Sequence, residues 1–284
     1  MTYDTAVILG ANGFIARNIS AALQGAMKVV GFDLPDADVT KIGTLTNAAT
    51  MVPRGGKIVV INAAGLMDAQ ASRKNPDLYY RINGTAIANV VKFCDAVGAA
   101  ALVQLSSETV YGQGVDELDE AAPRIPLHPY GIAKLVAELM LQENPPSFPA
   151  ALLRIPVVVG KGQALDNPIS LFCKEATKEK SIVLFNGGKH RRKFVAVEDV
   201  AAQIAAMLNK GLSPGVEAYN LAGFNAAMVD IAERVAAKVG GVSILDKPSA
   251  NQAFTLISTS DKIAVFDCPP RRDIDAMINE FLAN

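Results

Sequence analysis

The stretch Thr5-Ala6-Val7-Ile8-Leu9-Gly10-Ala11-Asn12-Gly13-Phe14-Ile15-Ala16-Arg17 constrains this chain more than any other: an apolar run stops at a glycine and restarts as a helix. A strand feeding a glycine turn and a helix N-terminus can hold a pyrophosphate, because the free N–H groups of the first helical turn point at the anion. Gly10 allows the turn, Gly13 the close approach of phosphates, and Ala16 close packing of helix on strand. The spacing is G-x-x-G-x-x-A, which is weak evidence by itself. The next strand-like run, Met27-Lys28-Val29-Val30-Gly31-Phe32-Asp33, ends in an acid about twenty residues after the motif, where a carboxylate would meet the adenosine ribose hydroxyls. Turn and acid together read as a dinucleotide site.

Half of the 284 residues are hydrophobic, as buried parallel strands covered by helices require. The formal net charge is −1 and no basic block occurs, which disfavours nucleic acid or an anionic membrane surface as partner. Cys94, Cys173 and Cys268 are odd in number and far apart, pointing to a reducing compartment and to neither a disulfide framework nor a metal site. Cys173 reads as a core thiol before it reads as a nucleophile. The chain enters a strand almost at once and has no apolar run of about 18 residues, so neither a signal peptide nor a membrane span is expected, and a cytoplasmic location is.

Strand-like and helix-like segments alternate. Strands are expected at 5–9, 27–33, Lys57–Asn62, Ala101–Ser106 and Ala151–Val159. Helices are expected at 14–24, 43–52, Leu78–Val97 and Tyr130–Glu143. Only a short strand or turn near Asp38-Val39 fits between Asp33 and the helix at 43–52. This alternation predicts an α/β fold, a doubly wound parallel sheet (Rossmann fold), with a small C-terminal α+β substrate lid. The expected division is a dinucleotide-binding domain at 1–160 and a smaller substrate-binding region at 161–284, with elements at about 194–222 returning to the main sheet. In the second region helices are expected at Pro168–Lys180, Val197–Asn209, Ala227–Val239 and Asp273–Leu282, strands at Ile182–Phe185 and Val216–Leu221, and a basic loop at Gly187–Lys193. Residues 241–270 carry no readable pattern.

Two further segments carry chemistry. Tyr130-Gly131-Ile132-Ala133-Lys134 places a phenol and an ammonium on one face of a helix. There Lys134 can stabilise a phenolate on Tyr130 and lower its pKa, so that the phenol exchanges a proton with a hydroxyl near neutral pH. Y-x-x-x-K also describes an ordinary surface pair. Leu105-Ser106-Ser107-Glu108-Thr109-Val110-Tyr111-Gly112 follows a strand, at the edge where open α/β sheets bind ligands, and a Ser hydroxyl there can hydrogen-bond a reacting oxygen. Polar residues ending a strand also serve as plain turn formers.

These motifs resemble an extended short-chain dehydrogenase/reductase of the NAD-dependent epimerase/dehydratase family. The resemblance rests on the glycine turn, Asp33, Asn62-Ala63-Ala64, Asn83-Gly84-Thr85, Ser106 to Gly112, Tyr130 to Lys134, Leu153-Arg154 to Gly160, Arg192-Lys193-Phe194-Val195-Ala196-Val197-Glu198-Asp199 and Tyr219-Asn220-Leu221, in the family's order over residues 5–222. It implies Ser107, Tyr130 and Lys134 as catalytic residues. It implies an NAD site built from Gly10, Asn12, Gly13, Phe14, Ile15, Asp33, Asp38, Val39, Ala63, Ala64 and Pro156, together with Tyr130 and Lys134. Asp33, with no Arg or Lys between it and Lys41, favours NAD over NADP. Arg192 matches an arginine that grips the diphosphate of a nucleotide-sugar, a task suited to guanidinium geometry; a solvated basic loop at Arg191 and Arg192 is the other reading. Glu108 stands where 4,6-dehydratases keep an acid, although Thr109 replaces the second acid usual there. Simple exposure of Glu108 is the alternative. His128 reads as a loop residue that could line the site, and Arg154 as structural.

The chain departs from the pattern at Ala133, where Ser is usual, and at Val157, where many nucleotide-sugar enzymes have an Asn. It lacks about one helix after Asp33 and has no Trp-x-Pro near its end. The function expected from the resemblance is NAD-dependent epimerisation of a (nucleotide-)sugar through a keto intermediate. Net oxidoreduction of a sugar or other small hydroxy/keto compound is the second expectation, a 4,6-dehydratase the third, and a non-catalytic NAD-binding regulator the alternative of another class. A homodimer is implied by the resemblance alone.

Overall fold

The computed structural model describes residues 2–112, 118–163, 167–249 and 255–283. Its organising strand, β1 (Thr5–Leu9), is buried at every position. Such a strand needs partners on both edges and helices on both faces. Its edges pair in parallel with β2 (Lys28–Phe32) and β3 (Ile58–Asn62), Leu9 standing level with Phe32 on one side and Asn62 on the other. Between them run α1 (Phe14–Leu23) and α2 (Ile42–Met51). One helix is all that separates β2 from β3, and Asp38-Val39 lies in a turn, so β2 is left as the half-exposed edge of the sheet.

The chain then continues through short helices α3 (Ala69–Lys74) and α4 (Pro76–Tyr79), a π-helical turn at Tyr80–Thr85, and α5 (Ile87–Val97). The single helix expected over Leu78–Val97 is therefore interrupted. The wider turn lets Asn83 face the loop after β3, a use of π-turns common near functional sites. Strand β4 (Ala99–Ser107), a 3-10 turn at Glu108–Val110, α6 (Pro129–Glu143) and β5 (Ala150–Ile155) follow.

Pro156 splits the expected strand at Ala151–Val159. The second part, β6 (Val157–Val159), leaves for another sheet. Next come α7 (Pro168–Lys178), β7 (Ser181–Phe185), β8 (Arg191–Ala196), α8 (Val197–Lys210), β9 (Val216–Asn220), β10 (Phe224–Ala227), α9 (Met228–Val239), β11 (Ser243–Lys247), a 3-10 turn at Lys262–Phe266 and α10 (Ile274–Leu282). Arg191, Arg192 and Lys193 thus belong to a strand and not to the expected basic loop, because β8 pairs with β6 on one side and β10 on the other.

Six strands form an all-parallel sheet in the order β2-β1-β3-β4-β5-β9. One face is covered by Ala16, Ile19 and Leu23 of α1 with Val200, Ile204 and Met207 of α8. The other is covered by Leu45 of α2, Ile87, Val90 and Phe93 of α5, and Ala137 and Leu141 of α6. The strand order reverses between β1 and β3, and the crevice beyond the carboxyl ends at such a point is where open α/β sheets take ligands. The sheet β10-β8-β6 and strand β7 share a separate core with α7, α9 and α10, while β11 pairs with β7 and is exposed along its length. Of the elements between 194 and 222, β9 joins the main sheet and β8 the three-stranded one. Among the described residues no helix is long and apolar enough to cross a membrane, and no cluster of metal-ligating side chains occurs.

Candidate active site

A cleft of about 350 Å3 opens at the carboxyl ends of β1, β3, β4 and β5. It is lined by Gly13, Phe14 and Ile15 from the glycine turn, Ala63 and Gly65 after β3, Ser107 and Glu108 after β4, Tyr130 and Lys134 of α6, Pro156 and Val157 after β5, and Arg192 of β8. Ten of the residues singled out from sequence therefore share one cavity: Gly13, Phe14, Ile15, Ala63, Ser107, Glu108, Tyr130, Lys134, Pro156 and Arg192. Gly10, Asn12, Asp33, Asp38, Val39 and Ala64 lie outside that lining.

Gly10 has φ +77°, and a Cβ there would stand 2.6 Å from the Ala64 Cα. The loops after β1 and β3 can touch only because that Cβ is missing. Gly13 occupies the N-cap of α1 without any side-chain cap, so the first-turn N–H groups are left for a ligand. The Asp33 carboxylate accepts the N–H of Asn12 and that of Leu34, both at 2.7 Å, which holds the acid beside the turn. Asp38 caps its own turn through Thr40, and Val39 is buried with its carbonyl accepting from Asn89.

The head of α6 is set by Pro129 at its first position and by His128, whose Nδ1 accepts the Gly131 N–H at 3.1 Å. The His128 ring stacks on Tyr130 at 5.9 Å, and Tyr79 meets Tyr130 edge-on at 6.4 Å. Tyr130 is thus fixed between two rings. Burial raises its phenol pKa, opposed by a hydrogen bond with Ser107. The lowering by Lys134 expected from sequence is not what surrounds the phenol here. Lys134 instead donates to the Leu105 carbonyl at 2.9 Å, and burial brings the ammonium down to about 8, with the nearby Glu138 charge working the other way.

The Ser107 Oγ accepts from the backbone and hydroxyl of Thr109 at 3.3 and 3.0 Å. Glu108 is only 1% exposed, not the surface acid that was the alternative. Its Oε1 accepts from Arg192 Nη2 at 3.1 Å, while its Oε2 is buried with no hydrogen-bond partner. Burial pushes its carboxyl up to about 7 despite the Arg192 and Lys193 charges.

Of the supporting layer, Arg154 is the structural residue expected from sequence, whereas Glu138 was not foreseen. Glu138, fully buried, accepts from the Ser106 hydroxyl at 2.6 Å, from Arg154 Nη2 at 2.8 Å and from Arg124 at 3.2 Å. Arg154 in turn donates to the Tyr111 hydroxyl at 2.7 Å. The signal was present: Glu138 is one helical turn after Lys134, on the same face. Gln163, Asn167 and Met67 also line the cleft. Asn167 could have been found as the side-chain cap of α7, ahead of Pro168.

A doubly wound sheet with a glycine turn and a Ser/Tyr/Lys group at one cleft is the arrangement of the short-chain dehydrogenase/reductase type. The chain matches the NAD dependent epimerase/dehydratase family over residues 6–222 and belongs to it. It is 29% identical over 161 residues to a mouse dTDP-D-glucose 4,6-dehydratase, a match covering 55% of this chain and 44% of the dehydratase. The chain thus spans less than half the length of that relative. A putative UDP-glucose 4-epimerase of Methanocaldococcus jannaschii is 28% identical over 229 residues, covering 76% of this chain and 73% of the relative. Among solved structures, the UDP-glucose 4-epimerase of Bifidobacterium longum in complex with NAD+ and UDP superposes with a TM-score of 0.84 at 21% identity, covering 98% of this chain and 97% of that one. RMD of Pseudomonas aeruginosa complexed with NADPH gives 0.84 at 19%, covering 99% and 98%. At these identities the structural likeness establishes the fold.

Proposed function

We propose that the chain is an NAD-dependent epimerase acting on a nucleotide-linked sugar. The observation that carries the reading is the placement of Ser107, Tyr130 and Lys134 on one wall of the cleft whose other wall is the glycine turn. The residues fit a dinucleotide: the cradle between Gly10 and Ala64 would be filled by a Cβ, α1 has no side-chain cap, and Asp33 offers a carboxylate beside the turn. Gly10, Asn12, Gly13, Phe14 and Ile15 would hold the diphosphate, Asp33, Asp38 and Val39 the adenosine end, and Ala63, Ala64, Pro156, Tyr130 and Lys134 the nicotinamide half. Bound there, NAD supplies reversible hydride acceptance at the sugar carbon. The Asp33 carboxylate supports NAD, since a 2′-phosphate would meet like charge.

Tyr130 is the group that takes and returns the hydroxyl proton, and Ser107 holds the same oxygen by hydrogen bond. The Tyr130 phenol needs a nearby cation to ionise near neutral pH, and Lys134, one helical turn on, is the residue to supply it once its Nζ turns from the Leu105 carbonyl. Arg192 would hold the sugar-nucleotide diphosphate and Glu108 the sugar. Epimerisation follows if the keto sugar is reduced on its other face. The test is incubation of the NAD-loaded protein with a panel of nucleotide-sugars, read by proton NMR for the epimer, with Tyr130→Phe abolishing turnover.

One observation favours a second reading, net oxidation or reduction of a smaller hydroxy/keto compound. Arg192 is paired to Glu108, and Val157 stands at the cleft without the amide usual for a nucleotide-sugar. That reading predicts stoichiometric NADH. Other relatives also named as dTDP-D-glucose 4,6-dehydratases keep dehydration as a third outcome of the same assay.

A further inference from the structure

The Glu108–Arg192 pair is an unusual wall for a site that must receive an anion. The carboxylate is 1% exposed, its Oε1 is held by Arg192 Nη2 at 3.1 Å, and its Oε2 has no partner although it lies beside the cleft. A buried acceptor left open in this way marks a place where something else arrives. We infer that a nucleoside diphosphate enters this cleft together with a proton, and that the proton settles on Glu108.

Charge balance at the Arg192–Glu108 pair decides the outcome. This inference rests on the proposed function, in which Arg192 holds the diphosphate. An arriving diphosphate competes with Glu108 Oε1 for the Arg192 guanidinium, and once Nη2 turns to a phosphate oxygen the bond to Oε1 is lost. The carboxylate is then buried without that partner, and a buried charge deprived of its counter-ion is strongly disfavoured. Glu108 cannot turn into solvent from its place in the 3-10 turn without leaving the cleft wall. The remedy is protonation: the Arg192–Glu108 hydrogen bond breaks, Arg192 donates to the phosphate, and a solvent proton binds the carboxylate. The protonated acid becomes a donor as well as an acceptor, suited to the hydroxyl-rich ring expected beside Ser107.

The charged and titratable groups around this corner are Arg192 and Lys193 from β8, His190 just before it, Tyr130 and Lys134 from α6, His128 at the head of α6, and Arg73 acting on His128. Lys193 also acts on Glu108, the largest charge on its ammonium ahead of Glu120 and Asp261, and tempers the change without replacing the Arg192 hydrogen bond. Burial, with the Arg73 and Arg192 charges, holds His128 toward its neutral form, and burial with the Arg192 charge does the same to His190, so neither takes up a proton in the alkaline range. Lys134 is the one competitor. It sits near its own midpoint at pH 8 and an arriving anion would favour its charged form.

The experiment is calorimetric titration of UDP into the NAD-loaded protein at pH 8, in two buffers of different ionisation enthalpy, for wild type and Glu108→Gln. At that pH the terminal phosphate of UDP is ionised, so it brings no proton of its own. The expected result is uptake of between about half and one proton per UDP by wild type, lost in Glu108→Gln, with uptake in wild type fading below about pH 6 as Glu108 becomes protonated beforehand. Retained NAD binding shows that the variant is folded. Uptake near zero in wild type overturns the inference. So does equal uptake in Glu108→Gln, which assigns the proton to Lys134, and so does failure of UDP to bind while NAD binds. The proposed reaction is scored separately: UDP binding with Glu108-dependent uptake, but with no turnover of any sugar, keeps this inference and removes the epimerase reading. Epimerisation without uptake does the reverse.

Discussion

Asn83 clamps Leu66 in both directions: its amide oxygen accepts the Leu66 N–H at 2.9 Å and its amide nitrogen donates to the Leu66 carbonyl at 2.7 Å. The π-helical turn that interrupts the helix before α5 exists in register with this pairing. The Gly65-Leu66-Met67 segment forms part of the cleft wall. Gly65 itself can carry no side chain, since a Cβ would lie 2.5 Å from the Asn83 Oδ1. Asn83→Ala leaves both Leu66 backbone groups unpaired and is expected to cost about 1–3 kcal/mol. It should also weaken NAD binding, measured by titration beside the thermal melt. An unchanged affinity with a lowered melt would reduce the clamp to a purely structural role.

Asp33 gives the second expectation. With its carboxylate fixed by the Asn12 and Leu34 N–H groups, a 2′-phosphate would meet like charge at the ribose. Wild type should prefer NAD to NADP by about tenfold or more, and Asp33→Ser should erase most of that preference. Direct binding of both dinucleotides to the two proteins checks it.

The main sheet was legible because β1, β3, β4 and β5 are apolar runs ended by Gly10, Asn62-Ala63, Ser106-Ser107 and Pro156. The cleft was legible because its glycine turn and its Tyr/Lys pair have fixed local spacings. What escaped has long-range causes. Arg191 and Arg192 look like a basic loop until β6 and β10 are known to flank them. Val157 to Val159 look continuous with β5 until Pro156 diverts them to another sheet. The π-turn depends on a partner at Leu66, distant in sequence. The pairing of Glu108 with Arg192 joins residues far apart in the chain, and no local pattern shows it.

Stability should follow pH through Glu108. Its carboxyl moves up from 4.5 to about 7 on folding, because burial outweighs the Arg192 charge. The folded state therefore holds more protons than the unfolded one between those values. The Glu108 contribution to stability is fully present below about pH 4.5 and is lost as pH rises through 7, by up to about 3 kcal/mol. Chemical denaturation of the ligand-free protein across pH 5 to 8 should show the decline in wild type and a flatter profile in Glu108→Gln.

Glu138 is expected to matter more for folding than any residue in the cleft. It is buried with Arg154, which is 1% exposed, and it ties the Ser106 end of β4 to the helix carrying Tyr130 and Lys134. Glu138→Gln leaves a buried guanidinium uncompensated, at a cost of about 3–5 kcal/mol in denaturant melts. Removing Arg154 as well, as Glu138→Met with Arg154→Met, should recover a good part of that loss.

The central claim is that Tyr130, supported by Ser107 and Lys134, exchanges a hydroxyl proton while hydride leaves and returns to the same sugar carbon. The most direct measurement follows one reaction of the NAD-loaded protein with a nucleotide-sugar in two ways, the epimer by proton NMR and NADH by absorbance at 340 nm. The account predicts epimer accumulating over many turnovers with no net NADH, and no turnover in Tyr130→Phe. NADH formed in proportion to substrate consumed, or epimerisation surviving in Tyr130→Phe, would contradict it.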